Sequence, residues 1–139
     1  MHLLDTETLT HLHAGHPRVV ARLQALADPN VGTTIITRIE MLRGRMDHVF
    51  KAATSDDLLR AQFLLARTEE LLEQILIVPF DSAAAAQFDQ LRTIRSLRKI
   101  GRGDILITAI ALANRATLVT RNLRHFKQFP GLKLENWVD

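Results

Sequence analysis

The chain lacks cysteine altogether. That absence excludes disulfides, thiolate zinc sites and a cysteine nucleophile, and it is compatible with a reducing compartment. Tyrosine is also missing, and phenylalanine and tryptophan together make up only 5% of the residues, which argues against an aromatic platform for stacking nucleobases. No apolar run is long enough to span a bilayer, and the opening Met1–Asp5 is no signal peptide, so no membrane association and a cytoplasmic location are expected. Gly101-Arg102-Gly103 lacks the rest of a dinucleotide fingerprint, and no Ser-His-Asp arrangement can be placed. Charge of neither sign dominates. Eighteen Lys and Arg face fifteen Asp and Glu, a net +3 that permits a phosphate-bearing partner without demanding one.

What remains is a chain of 139 residues, 47% hydrophobic, read as a single domain over 1–139 with a sizeable core. Its organising stretch is Gly101 to Ala113, where Ile105, Leu106, Ile107, Ile110 and Leu112 leave almost no polar face. A helix apolar all round is a buried helix. It nevertheless opens with Asp104 in its first turn, where a carboxylate is favoured by the helix dipole.

Ahead of that stretch, His2-Leu3-Leu4 reads as a strand ending at Asp5, followed by a helix from Thr6 to about His13 and an amphipathic one from Pro17 to Ala27. Val31 to Ile36 is β-rich and reads as a second strand. Thr37 and Glu40 fit a capping box opening the next helix, whose apolar side is Met41, Leu42 and Met46. A long helix is expected over Leu58 to Ile75 and a strand over Leu76-Ile77-Val78. Asp81 or Ser82 then caps a helix running through Leu97. After the buried helix come a strand over Ala116–Thr120, a short helix at Asn122–Phe126 and a last strand over Leu132–Glu135. Strands alternating with helices predict a parallel sheet covered on both faces. Ligands of such sheets sit at the carboxyl ends of the strands.

Asp5, Glu40, Asp104 and Asn122 all fall at such ends or in the helix turns beside them. Each also has a plain structural reading as a cap. Three carboxylates at one rim would repel one another, and a divalent cation, Mg2+ or Mn2+, removes that repulsion with the oxygen ligands it prefers. Basic residues nearby, among them Arg38, Arg43, Arg102 and Arg121, are candidates for holding a nucleic-acid backbone. His11, His13 and His16 are read as exposed helix and turn residues, because positions two apart do not share a helix face. Trp137 is read as an anchor for the tail.

Taken as a set, Leu4-Asp5-Thr6, Thr37 to Gly44, Ile100 to Leu112, Val119 to Phe126 and Pro130 to Trp137 resemble a PIN-domain protein of the VapC-like toxin ribonuclease group. The resemblance implies a three-layer α/β/α sandwich around a mostly parallel sheet. It also implies Mg2+- or Mn2+-dependent cleavage of RNA, a homodimer, and a cognate antitoxin. On the same basis Asp5, Glu40 and Asp104 are the expected metal ligands, with Thr6 and Thr120 orienting the site through their hydroxyls. This sequence departs from that pattern at Asn122 and His125, where many relatives carry a fourth acid. Asn122 offers only a neutral oxygen, while His125 is a candidate to donate to phosphate or hold a water. Two rival readings are a non-catalytic RNA- or protein-binding module with a degraded site, and a phosphatase using Asp5 as nucleophile, with Glu7 where a second aspartate is expected.

Overall fold

A computed structural model describes all 139 residues. The chain runs β1 (His2–Leu4), α1 (Thr6–His13), α2 (Pro17–Ala25), β2 (Val31–Thr34), α3 (Ile35–Lys51), α4 (Ser55–Glu73), β3 (Leu76–Val78), α5 (Ser82–Arg92), a 3₁₀ turn (Arg95–Leu97), α6 (Arg102–Ala113), β4 (Thr117–Val119), α7 (Leu123–Phe126) and β5 (Lys133–Glu135). The five strands form one sheet in the order β3-β2-β1-β4-β5, and every pairing is parallel.

Alternation along the short central strands assigns the layers. Leu4 and Val119 face a core shared with Leu9 of α1, Val19 of α2, Leu72 of α4 and the buried Trp137, with Met41 and Leu42 of α3 packed alongside. Leu3 and Leu118 point the other way, toward cores built from Leu91 of α5, Ile107 and Ile110 of α6, and Phe126 of α7. The result is the three-layer sandwich, with α6 buried from Ile107 to Ala111 as its composition predicts. No helix is long and apolar enough to cross a membrane.

Gly32 shows how tightly β2 meets β3. A Cβ at that position would lie 2.1 Å from the Leu76 carbonyl oxygen, so only glycine fits this strand pairing.

Several boundaries differ from the sequence reading. Helix α3 begins at Ile35, so Ile35 and Ile36 leave the strand for the helix. Its cap is Thr34, whose hydroxyl accepts from the Thr37 amide at 3.1 Å. The Thr37–Glu40 capping box therefore does not form. Met46, assigned to the apolar side of α3, is 46% exposed. Helix α5 stops at Arg92, and Ile94 to Leu97 leave it through the 3₁₀ turn. Asp81 does cap α5, accepting from the Ala84 amide at 2.9 Å.

Candidate metal and nucleic-acid site

The strand order places a topological switch at β1, since the chain moves outward through β2 and β3 and then returns to β4 on the opposite side of β1. Crevices at the carboxyl ends of such strands are where doubly wound sheets bind ligands. Asp5 directly follows β1, and its amide donates to the Val119 carbonyl of β4 at 3.0 Å. Thr120 directly follows β4; it is fully buried, and its hydroxyl accepts from the Asn122 amide at 3.0 Å, bending the chain into α7.

Each acid is held differently. One Asp5 oxygen caps α1, accepting from the Thr8 amide at 2.9 Å. Asp104 sits in the first turn of α6, whose cap Gly101 offers no side chain. The His125 ring donates from Nε2 to Asp104 Oδ2 at 2.8 Å, linking α7 to α6. Glu40 accepts no hydrogen bond and makes no ion pair. It lies in the second turn of α3 and has no capping role. The plain structural reading of Glu40 therefore disappears.

Glu40 reaches toward the start of α6. A Cβ at Gly103 would stand 3.0 Å from Glu40 Oε1, so the missing side chain makes room for that carboxylate. Glu40 is an exposed residue, but partial desolvation of its carboxylate raises its pKa above the ordinary glutamate value. The Asp104 charge raises it further, and Arg43 opposes the rise.

The structure brings Glu40 within electrostatic reach of Asp104 and bonds Asp104 to His125. It puts Asp5 at the same rim, where its neighbour Thr6 shares a cleft with Glu40. It does not draw three His, Asp or Glu side chains into a ready ligand cluster. Asn122 is the N-cap residue of α7 but makes no side-chain cap bond, so its amide is uncommitted.

The four predicted RNA-contacting arginines scatter. Arg43 stands near Glu40. Arg38 shares a separate cleft with Glu69 and Glu73. Arg102 lies over the Phe88 ring, 5.6 Å from its centroid. Arg121 is bound to Asp139 at 3.1 Å and Glu7 at 3.4 Å, and these partners, Asp139 first, hold its proton more tightly. His16 caps α2, and His13 lies 3.1 Å from Arg67. Sequence reasoning missed the His125–Asp104 contact, since no local pattern signals a pairing across 21 residues.

A PIN-domain sequence profile matches residues 2–132. This chain belongs to the PIN-domain family. Among its PIN-domain relatives, the ribonuclease VapC2 of Rickettsia felis is 36% identical over 74 residues, 52% of this chain and 55% of that protein. The tRNA(fMet)-specific endonuclease VapC of Salmonella typhimurium is 25% identical over 137 residues, covering 97% of this chain and 96% of that one. The crystal structure of VapBC2 from Rickettsia felis, bound to a DNA fragment from the promoter, contains a chain similar to this PIN domain at TM-score 0.76 and 28% identity, with 98% of each chain covered.

Proposed function

We infer that this PIN domain, taken as one unit over 1–139, is a ribonuclease toxin that hydrolyses RNA phosphodiester bonds with a divalent cation, in the cytoplasm. The observation that carries the reading is the Glu40–Asp104 pair. Two carboxylates from different helices crowd the carboxyl edge of the sheet, the charge of one disfavours ionisation of the other, and the opposing influence of Arg43 does not offset the rise in the Glu40 pKa.

The donor set suits such an ion. All three acids offer hard oxygens, as Mg2+ or Mn2+ requires, and Gly103 leaves room for Glu40. Asp5, Glu40 and Asp104 would hold it. When bound, it supplies a water of lowered pKa and neutralises charge on the phosphoryl group. The chain's own residues do the rest. His125 fixes the Asp104 carboxylate in orientation, as partners of ligating carboxylates do. Thr120 secures the turn that delivers Asn122, whose neutral amide can hydrogen-bond a substrate oxygen. Thr6 brings a hydroxyl to the cleft beside Glu40.

The phosphatase reading loses its second acid, because Glu7 faces Arg121 at 3.4 Å and His11 at 3.7 Å on the surface of α1. A cognate antitoxin is the proposed protein partner, supported by structural neighbours that are VapBC complexes. A homodimer is proposed as well. The hairpin of α3 and α4 carries apolar surface available to either, with Phe50 88%, Leu59 66% and Phe63 59% exposed.

The test is RNA cleavage by purified protein with Mn2+ or Mg2+ and with chelator. Cleavage that needs the cation and vanishes in Asp104→Asn supports the reading. Cleavage that persists in chelator, or full activity in that variant, overturns it.

A further inference from the structure

Beside Glu40 lies a cleft of about 320 Å³ between α1 and α3, lined by Thr6, Thr10, Glu40, Met41, Gly44 and Arg45. Arg45 is half-buried there. Its Nε donates to the Thr68 hydroxyl of α4 at 3.1 Å, and that hydroxyl in turn donates to the Leu64 carbonyl at 2.9 Å. Thr68 is itself only 4% exposed, so the anchor is rigid. The chain supplies no carboxylate within ion-pairing distance of Arg45, although Glu40 lines the same cleft; the ion pairs of the molecule all involve other residues.

A guanidinium held by Nε keeps its two terminal nitrogens in a fixed fork, the geometry that grips a phosphate through two parallel hydrogen bonds. With only its Nε engaged by Thr68 and no acidic partner in the chain, the Arg45 guanidinium keeps donors available to an anion entering the cleft. The floor opposite is open, because a Cβ at Gly44 would meet nothing within 4 Å. Thr6, the residue after Asp5, supplies a hydroxyl at the near wall.

We propose that this cleft is an RNA subsite in which Arg45 binds a backbone phosphate flanking the scissile bond, with Thr68 as the residue that positions Arg45. The inference rests on the nuclease reading above and extends it. Contiguity with Glu40 favours a phosphodiester over a protein carboxylate as the occupant, since the strand being cut must pass the acids. Arg45 then sets how the substrate is threaded across α1 and α3; Arg38, Arg102 and Arg121 do not line this cleft.

The experiment measures binding of a fluorescent single-stranded RNA across a salt series, together with cleavage of that RNA and of bis(p-nitrophenyl) phosphate, for the parent protein, Arg45→Gln, Arg45→Lys and Thr68→Val. Each lost phosphate contact lowers the slope of log affinity against log salt by about 0.7. Arg45→Gln is expected to show that drop and a roughly tenfold weaker RNA affinity. Its rate on RNA falls more than its rate on the small diester, which cannot span the subsite. Arg45→Lys recovers the salt slope but not the full affinity, and Thr68→Val gives a smaller loss in the same direction. Thermal melting accompanies each variant, so that a folding defect is seen as such.

An unchanged salt slope in Arg45→Gln, or equal loss on RNA and on the small diester, overturns the subsite while leaving the nuclease reading intact. So does a normal slope combined with weakened binding of a protein partner, which would give the guanidinium to a carboxylate. A parent protein that neither binds nor cleaves RNA overturns both.

Discussion

The molecule holds two sets of carboxylates, and it treats them in opposite ways. Around His2, the acids are matched with donors. Asp28 accepts from the Met1 amino group at 2.9 Å and from the His2 ring at 2.6 Å, and these contacts, with the Asn30 amide, hold its pKa well below the usual aspartate range. Glu135 accepts from the Trp137 indole at 2.7 Å, with His2 and Arg22 close by, and its pKa is likewise lowered. Each charge there joins one segment to another: α2, the loop before β2, β1 and the tail. At the rim beyond β1, Glu40 has no such partner, and its pKa is raised by burial and by Asp104. Acids with internal partners hold the fold together. Acids crowded against each other are placed for something from outside.

That contrast can be broken or sharpened by substitution. The largest expected effect is at the rim: Asp104→Asn or Asp5→Asn should lower metal-dependent RNA cleavage by on the order of 10²–10³ or more, in a protein whose far-UV circular dichroism is unchanged. In the His2 cluster the corresponding blow falls on stability. Trp137 is 1% exposed, so Trp137→Ala should cost about 3–5 kcal/mol in denaturant unfolding. His125→Ala should reduce activity or cation affinity by about 10–100-fold, because it frees the Asp104 carboxylate without removing it. Steady-state kinetics at varied Mn2+ would register the difference.

The smallest effects, and the most diagnostic, are in the pH dependence of stability. A raised native pKa means that folding favours protonated Glu40, so its contribution is present at low pH and lost as pH rises through its elevated value. Asp28 has the opposite sign. Its lowered native pKa gives stability above the ordinary aspartate range, lost as pH falls toward its own value. Thermal melts from acid to neutral pH should therefore show Glu40→Gln gaining relative stability as pH rises, while Asp28→Asn loses it. Parallel curves for the two variants would remove the distinction between the sets.

Much of this was written locally. The strand ends at Asp5 and Val78, the cap at Asp81 and the buried α6 follow from short-range pattern. The errors were local too, and have physical causes. Ile35 and Ile36 are β-branched, so they read as strand, but Thr34 caps the helix before them and packing against the α5–α6 side overrides propensity. The helical period appeared to continue to Leu97 because Leu91 and Leu97 fill the same core across the 3₁₀ turn. At the site, the residue types and their places at strand ends were legible, and so was the chance that an acid there was only a cap. The relation of Glu40 to Gly103, the His125–Asp104 bond and the anchoring of Arg45 by Thr68 are products of tertiary packing. No window of sequence contains them.

The central claim is that the acids crowded at the rim, Glu40 and Asp104, and not the acids of the His2 cluster, take up a divalent cation. Calorimetric titration of Mn2+ into the parent protein, Asp104→Asn, Glu40→Gln and Asp28→Asn tests it directly. Binding that survives Asp28→Asn and is lost in Asp104→Asn and Glu40→Gln is the predicted result. Binding that is indifferent to Asp104 and Glu40, or that disappears with Asp28, would contradict it.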